Sequence, residues 1–337
     1  MRSIFFRRLA VVTLITMILT SCTAKIGVDL DKETDPADQE TNSSVEALQP
    51  EEDKKAETVP ENIPEVKPEI AVQPETNNNI EKNADTKEED NKPADKPVEK
   101  KIIGEFGKFD NTKYGWWYRR NKDKPPTIDN KYDQLLKKYD GIFRHDTDEK
   151  VLYLTFDEGY ENGYTPKILD VLKENQTTAA FFITGPYLKK HSDLVKRMVE
   201  EGHIVANHTI NHPSMPEILD DKKLEEEILG LERPFYEMFQ QHMKYLRPPK
   251  GEYSERTLAL TQSLGYKTVF WSFHYLDYDV KNQKGADHAY NEVMGRLHNG
   301  AVLLLHAVSK DNAEALDRII KDAKAQGYEF KSLDEIE

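Results

Sequence analysis

The sequence predicts a parallel α/β fold, and three observations support this prediction. From residue 150 onward, apolar strand-like segments alternate with amphipathic helical segments, which is typical of strands joined by crossover helices. The strand segments are themselves mostly apolar. Polar and charged residues follow five of them directly, at the end where parallel α/β proteins bind ligands. A barrel and an open sheet both satisfy the alternation, and the number of contributing strands favours a barrel.

The elements follow one another in a regular order. Residues 101–149 are expected to form an extension of the main domain with one short helix at 130–139. The predicted strands are 151–156, 178–184, 203–207, 245–249, 267–273, 300–306 and 328–333. The predicted helices are 165–175, 192–202, 220–239, 254–265, 286–297 and 312–327. Thr165, followed by Pro166, is expected to cap the first of these helices. Ser192 is expected to cap the second, and Gly202 to end it.

The acidity of the chain is concentrated in one segment. The 337 residues have a formal net charge of −14. Residues 23–100 hold 22 acidic and 10 basic residues but no Phe, Tyr or Trp. Such a segment cannot bury enough apolar surface to fold, so we expect a disordered tether. Residues 101–337 hold 39 acidic and 34 basic residues. This part has no strongly basic patch, which argues against a nucleic-acid partner.

Residues 1–22 are typical of an export signal. Three arginines, a short apolar run and small residues precede Cys22, and the run is short for a membrane span. The ending "LTSC" resembles the lipobox of bacterial lipoproteins, which implies that Cys22 carries a lipid in the mature protein. The alternative is an uncleaved N-terminal anchor. Both interpretations place the remainder outside the cytoplasm, and the single cysteine excludes an intramolecular disulfide.

Side chains suited to chemistry follow the predicted strands. They are Asp157 and Glu158, His208 and His212 in "NHTINHP", Arg247 in "RPPKG", Asp277 and Asp279, and His306. Each has a structural alternative. The adjacent acids could face water at a strand end, the paired histidines could be exposed loop residues, the arginine could lie on the surface, and His306 could be a buried structural residue. His203 is interpreted as structural, and Trp271 as core or groove wall.

Taken together, these groups indicate hydrolysis. Two histidines and a carboxylate can bind a divalent metal and leave a position open, and such a metal polarises a carbonyl group. A free carboxylate can accept the proton of water, and a separate histidine can protonate the leaving group. The set of residues therefore suits cleavage of an amide or ester.

The motifs "TFDEGY", "NHTINHP", "RPPKG", "WSFHYLDYD" and "LLLH" resemble the polysaccharide deacetylase (NodB-homology) family, carbohydrate esterase family four. The match runs from Lys150 to the C-terminus. The stretches "GYENGYTPKILDVLK", "LRPPKGEYSE", "NQKG" and "AVSKDNAEALD" are similar to the delta-lactam-biosynthetic de-N-acetylase branch, which acts on muramic acid in spore cortex. The resemblance implies an irregular (β/α)7 barrel over residues 150–337.

The resemblance also implies a role for each residue. Catalytic roles fall on Asp157 as base, Arg247 as the group that orients it, His306 as general acid and Asp277. The implied metal ligands are His208, His212 and Glu158, the last standing where the family usually has aspartate. Leu304, Trp271 and Pro249 are the implied substrate-binding residues. The implied cofactor is a divalent metal, zinc first, with cobalt or manganese as alternatives. His274 and Tyr278 stand where the wider family often has Asp and Trp.

The expected function is metal-dependent removal of N-acetyl groups from peptidoglycan. N-acetylmuramic acid, on the route to muramic δ-lactam in spore cortex, is the first expected substrate. The alternatives are N-acetylglucosamine in peptidoglycan, chitooligosaccharides, or a non-catalytic glycan-binding module on the same fold. The expected partners are a glycan strand and, through Cys22 or an uncleaved anchor, the membrane. A monomer on the outer face of the cytoplasmic membrane, facing the cell wall or cortex, is expected.

Overall fold

The structure is a computed structural model that describes residues 104–122 and 124–336. The predicted export signal, Cys22 and the tether at 23–100 lie outside these residues and stay predictions. None of the helices in the described residues has the length and apolar character that crossing a bilayer requires.

Eleven strands and eight helices are described within these residues. The strands are β1 (Tyr114–Gly115), β2 (Arg119–Asn121), β3 (Lys124–Thr127), β4 (Val151–Glu158), β5 (Ala180–Ile183), β6 (Ile204–Asn207), β7 (Tyr245–Leu246), β8 (Glu252–Tyr253), β9 (Lys267–Thr268), β10 (Ala301–His306) and β11 (Glu329–Phe330). The helices are α1 (Asn130–Lys138), α2 (Thr165–Glu174), α3 (Gly185–Lys190), α4 (Ser192–Glu200), α5 (Asp221–Phe239), α6 (Glu255–Ser263), α7 (Ala286–Met294) and α8 (Lys310–Ala325).

Seven strands form one parallel sheet, which confirms the predicted fold class. The strand order is β10-β4-β5-β6-β7-β9, and β11 also pairs with β4. Just beyond β9, Phe273 forms a parallel bridge with Leu303 of β10. The two ends of the strand order are therefore joined, and the sheet curls into the irregular barrel that the resemblance implied. Every residue of β4 is buried, as expected for a strand in the middle of a parallel sheet.

The extension packs onto the barrel through short strands and aromatic side chains. β1 pairs antiparallel with β8, and β2 pairs with β3. The indole of Trp116 stacks on Phe270 with ring centroids 4.3 Å apart, and Ile142 bridges Val269. The helix predicted at 130–139 is confirmed as α1. The short strands were missed because strands of two to four residues carry little periodicity.

Three local predictions were wrong. Ser192 is the first residue of α4 rather than its cap, since His191 occupies the cap position. Thr165 is the first residue of α2 rather than its cap, since Tyr164 occupies the cap position, and Glu161 accepts the Thr165 N–H at 3.3 Å. The strand predicted at 267–273 is regular only over β9. Beyond it the chain alternates between neighbours: the Phe270 N–H donates to Ile142 at 2.7 Å and the Ser272 N–H to Val302 at 3.0 Å.

Candidate active site

The carboxyl ends of four strands of the sheet bring the predicted residues together. Asp157 lies near the end of β4, and His306 ends β10 directly opposite it in the strand register. His208 follows β6 and Arg247 follows β7. Since parallel strands present their carboxyl ends at one edge, residues far apart in sequence meet here, such as Asp157 and Arg247, which are 90 positions apart.

Asp157 is held by Arg247. The guanidinium Nη1 donates to Asp157 Oδ1 at 2.7 Å, and the Arg247 side chain is fully buried. Burial raises the pKa of Asp157, but the charge and hydrogen bond of Arg247, together with the charge of His306, outweigh it and hold the pKa below its usual value. Asp157 is therefore a carboxylate at neutral pH, and an ionised carboxylate can accept a proton.

The buried guanidinium has further partners, which fix its position. Nη2 donates to Thr155 Oγ1 at 2.9 Å and Nε to the Val269 carbonyl at 3.2 Å. Its plane also lies over the Phe182 ring, 4.0 Å from the centroid. A buried charge needs such partners to offset its desolvation. Arg247 consequently holds Asp157 in one orientation.

The loop that carries the two histidines is shaped by polar side chains. Buried Asn207 accepts the Thr209 N–H on its Oδ1 at 2.8 Å, and the Thr209 hydroxyl accepts the His212 N–H at 3.1 Å. Thr209 and His212 both have left-handed backbone angles, with φ of 65° and 55°. Such angles are uncommon for residues other than glycine and cluster at functional sites. The turn places the two imidazole rings of His208 and His212 only 4.8 Å apart.

Both histidines are neutral and suited to bind a cation. His208 Nδ1 lies 2.7 Å from the Arg247 carbonyl, which can only accept, so Nδ1 carries the proton and Nε2 presents a lone pair. Burial lowers the pKa of His208 despite the charge of Asp157. Burial and His208 together lower the pKa of His212 to about 3.

The position of Nε2 supports a cation at this point. His208 Nε2 faces Asp157 Oδ2 at 3.5 Å, and neither atom carries a proton to share. Two acceptors facing each other are satisfied by a cation or by water. The donor set therefore fits a divalent metal. In the described residues, however, no group of three His, Cys, Asp or Glu side chains is already gathered around one point.

Glu158 lies in different surroundings from its neighbour. Side chains alternate along a strand, and Glu158 is directed at the start of α2, where Oε1 accepts from Thr165 Oγ1 at 3.3 Å. Its Oε2 is buried and lacks a hydrogen-bond partner within the described structure. Burial, with the charge of Glu161, raises the pKa of Glu158 well above its usual value. A metal-ligand role for Glu158 stays a prediction, and its unpaired oxygen is available for one.

Asp277 orients His306, and the structure thus brings these two predicted residues together. His306 Nδ1 lies 2.7 Å from Asp277 Oδ1, and the backbone N–H of His306 donates to Asp277 Oδ2 at 2.8 Å. Burial lowers the pKa of His306, but the charge of Asp277 outweighs it, and the pKa is raised overall. The histidine can therefore hold a proton at neutral pH, as a general acid requires.

The three predicted substrate-binding residues are almost entirely buried. Leu304 is 4% exposed on β10, Trp271 is 9% exposed, and Pro249 is buried in a short 3-10 turn after Arg247. Tyr278 is 42% exposed and lies edge-on to the His306 ring at 5.3 Å. It is therefore more accessible to a sugar than the three predicted residues, whose substrate roles stay predictions.

Several supporting residues were missed by the sequence reasoning. Thr155 could have been found, since it precedes Asp157 by two positions and lies on the same face of β4. Asn312 supports Asp277 by donating from Nδ2 to Oδ2 at 2.7 Å, and Tyr275 donates its hydroxyl to Asn312 Oδ1. His274 accepts from the Trp271 indole at 2.9 Å. Asn312 and Tyr275 follow no local pattern, because they meet only after folding, whereas His274 had been noted from its place in the motif.

One cavity among the described residues lies away from this site. It measures about 500 Å³, and it is lined by the β2–β3 hairpin and by residues 295–299, which precede β10. None of the predicted site residues lines it. The catalytic candidates are therefore defined by contacts and charge rather than by cavity size.

Comparison with known proteins supports this interpretation of the site. The sequence model of the family described as polysaccharide deacetylase matches residues 144–269. Over 228 residues the chain is 45% identical to the peptidoglycan-N-acetylmuramic acid deacetylase PdaA of Bacillus subtilis, covering 67% of this chain and 86% of that protein. It is 34% identical over 191 residues to a peptidoglycan-N-acetylglucosamine deacetylase of Bacillus cereus, covering 56% of this chain and 88% of that protein.

A solved structure is also similar. The structure of Bacillus subtilis PdaA, described as a family 4 carbohydrate esterase, matches with a TM-score of 0.66 and 44% identity. The match covers 67% of this chain and 97% of that one. Both the barrel and the region that carries the site therefore have a counterpart of known structure.

Proposed function

We propose a function for this chain from one established premise: it belongs to the polysaccharide deacetylase family. The chain is a deacetylase, and we propose that it removes the N-acetyl group of N-acetylmuramic acid in peptidoglycan. The similarity to PdaA of Bacillus subtilis supports this substrate. The stretches that resemble the delta-lactam branch support a further step, in which the product enters muramic δ-lactam formation in spore cortex.

One observation carries the proposed chemistry: an ionised carboxylate and a proton-holding histidine face each other across β4 and β10. Asp157, fixed by Arg247 at 2.7 Å, accepts the proton of the attacking water. His306, fixed by Asp277 at 2.7 Å, donates a proton to the departing amine. The two roles need opposite protonation states, and the neighbouring charges favour each of them.

The divalent metal would be held by His208 and His212, with Glu158 as the proposed third ligand. When bound, such an ion supplies Lewis acidity that polarises the acetyl carbonyl. Zinc is proposed first, since paired histidines with a carboxylate suit it. Cobalt and manganese are the alternatives. The Arg247 carbonyl holds the Nδ1–H of His208 and thereby directs Nε2 at the ion.

Leu304, Trp271 and Pro249 are proposed to wall the acetyl and sugar positions. For the cellular setting, we propose export through residues 1–22. Attachment would be through a lipid on Cys22 or an uncleaved anchor, and the acidic segment 23–100 would act as a tether. The monomeric enzyme would then act at the outer face of the cytoplasmic membrane, towards the wall or cortex.

Mass spectrometry of glycan strands incubated with the purified protein tests this function. We expect loss of acetyl groups from N-acetylmuramic acid, on strands with or without their stem peptides, and no loss with an Asp157→Asn control. Loss of acetyl groups from N-acetylglucosamine alone would show that the alternative substrate is the correct one. Absence of acetate release from peptidoglycan and chitooligosaccharides, with the metal bound, would favour a glycan-binding module instead.

A further inference from the structure

The turn after Arg247 holds a lysine in an unfavourable backbone conformation. Lys250 has φ 60° and ψ 6°, and Gly251 has φ 65°. Glycine adopts this left-handed region freely, whereas a side chain with a Cβ is disfavoured there. Lys250 is exposed, while Pro249 and Gly251 on either side of it are buried. A lysine retained in such a position points to a use for its side chain.

Two tryptophans prevent this turn from relaxing. The Trp116 N–H donates to the Gly251 carbonyl at 2.8 Å. A Cβ added at Gly251 would lie 2.9 Å from both Trp116 and Trp271, so the backbone is in close contact with both. The indole of Trp116 also donates to the Trp271 carbonyl at 3.0 Å. The extension and the barrel together therefore hold the Lys250 backbone rigid, and a rigid backbone presents a binding group well.

Lys250 lies in a turn beside the loop that carries the histidine pair. The Arg247 carbonyl, three residues before Lys250, lies 2.7 Å from His208 Nδ1. Two residues after Lys250, Glu252 lies 3.6 Å from Lys113 Nζ, which also pairs at 2.7 Å with Glu217, five residues beyond His212. Across residues 104–122 and 124–336, the Lys250 side chain makes no hydrogen bond or ion pair. An unpaired cation at the edge of a site favours an anionic group on the substrate.

We propose, resting on the proposed function, that Lys250 binds the carboxylate that distinguishes N-acetylmuramic acid from N-acetylglucosamine. That carboxylate belongs to the lactyl ether on the 3-oxygen of the same sugar ring, beside the N-acetyl group on the neighbouring carbon. An exposed lysine in the turn beside the histidine loop would meet this lactyl carboxylate when the acetyl group is in place. A charge-assisted hydrogen bond of this kind favours a carboxylate-bearing sugar over a neutral one.

The test compares two forms of one glycan. The probes are muramic-acid glycan with the free lactyl carboxylate and the same glycan converted to the neutral methylamide. The variants are Lys250→Asn, which suits a left-handed backbone but removes the charge, and Lys250→Arg, which keeps it. Lys222→Gln, an exposed lysine on the first turn of α5, controls for net charge. Melting temperatures should not fall in Lys250→Asn, since asparagine tolerates this conformation.

We expect the wild-type protein to prefer the glycan with the free carboxylate. The ratio of kcat/KM on this glycan to kcat/KM on the methylamide should fall about tenfold in Lys250→Asn, mainly through KM. Lys250→Arg and Lys222→Gln should keep the ratio, and added salt should reduce it in the wild type. An unchanged ratio in Lys250→Asn, with the wild type active, would overturn this inference alone. A wild type inactive on both muramic glycans would overturn the proposed function, and this inference with it.

Discussion

Asp157 and Glu158 are consecutive residues of β4, yet they lie in opposite surroundings. Asp157 meets the Arg247 guanidinium at 2.7 Å, whereas Glu158 meets only the Thr165 hydroxyl at 3.3 Å and leaves Oε2 unpaired within the described structure. The alternation of side chains along a strand separates them. The chain thus completes the surroundings of the proposed base by itself, and it leaves the second acid able to bind a group from outside.

His306 and His208 also differ in the groups that they contact. His306 lies against the Asp277 carboxylate, which raises its pKa although burial lowers it. His208 lies against a backbone carbonyl, and its pKa is lowered by burial. A charged partner favours a proton donor, and a neutral partner favours a metal ligand. One side of the site is therefore built for proton transfer and the other for cation binding.

The largest expected effect comes from Asp157→Asn. Asparagine keeps the shape of the side chain but cannot accept a proton, so kcat should fall by about 10²–10⁴. Metal content by elemental analysis should stay close to that of the wild type, because the proposed ligands are His208, His212 and Glu158. Acetate release near the wild-type rate would contradict the role as base and would remove the contrast between the two acids.

The next effect concerns metal affinity at Glu158. Outer-sphere partners of metals are each worth about 10–100-fold in affinity, so loss of a ligand in Glu158→Ala should cost at least about 100-fold. Glu158→Asp should recover part of this loss, because it restores a carboxylate. His208→Ala and His212→Ala should each lose the metal as well. Titration calorimetry measures all four variants, and equal affinity for wild type, Glu158→Asp and Glu158→Ala would show that Glu158 is not a ligand.

A smaller effect is expected from Asp277→Asn. His306 must be protonated to act as the acid, and the Asp277 charge is what raises its pKa against the effect of burial. Removal of that charge lowers the pKa of His306, so the alkaline limb of the pH–rate profile should move to lower pH. At pH 8, kcat should be reduced about tenfold.

Asp279→Asn gives a matched control for this pH profile. It removes the same charge two residues away, on a residue with no described contact to His306. The control should keep the wild-type profile. Identical profiles for Asp277→Asn and the wild type would show that Asp277 does not set the proton affinity of His306.

The sequence predicted the barrel and the positions of the main candidates, since both depend on local patterns. Apolar strands with polar ends are visible in the chain, and Asp157, Arg247 and His306 do meet. The direction of each side chain was harder to predict. The adjacent acids suggested a shared site, but the strand turns Glu158 towards Thr165 of α2.

The supporting contacts could not be predicted, because they depend on tertiary structure. Asn312 lies in α8, 35 positions from Asp277, and its amide donates at 2.7 Å only because α8 packs behind the loop that follows β9. Trp116 stands in the extension, where only one helix was predicted, yet its backbone holds the turn that carries Lys250. Such contacts have no periodic signal.

The smallest expected effects come from a matched pair of Thr→Val changes, which compare the two sides of β4 directly. Thr155 donates to the Leu303 carbonyl at 2.7 Å and accepts from Arg247 at 2.9 Å. Thr165 donates to Glu158 at 3.3 Å and accepts from Tyr187 at 3.4 Å. Both threonines are buried, and valine has nearly the same shape, so the difference measures hydrogen bonding.

Thr155→Val leaves a buried charged donor short of an acceptor and should lower the free energy of unfolding by about 1–3 kcal/mol. Thr165→Val removes longer and weaker bonds and should cost about 0.5–1.5 kcal/mol. Urea unfolding measures both values. A larger loss for Thr165→Val would mean that the surroundings of Glu158 are as firmly built as those of Asp157. The contrast between a completed side and an open side of the strand would then be wrong.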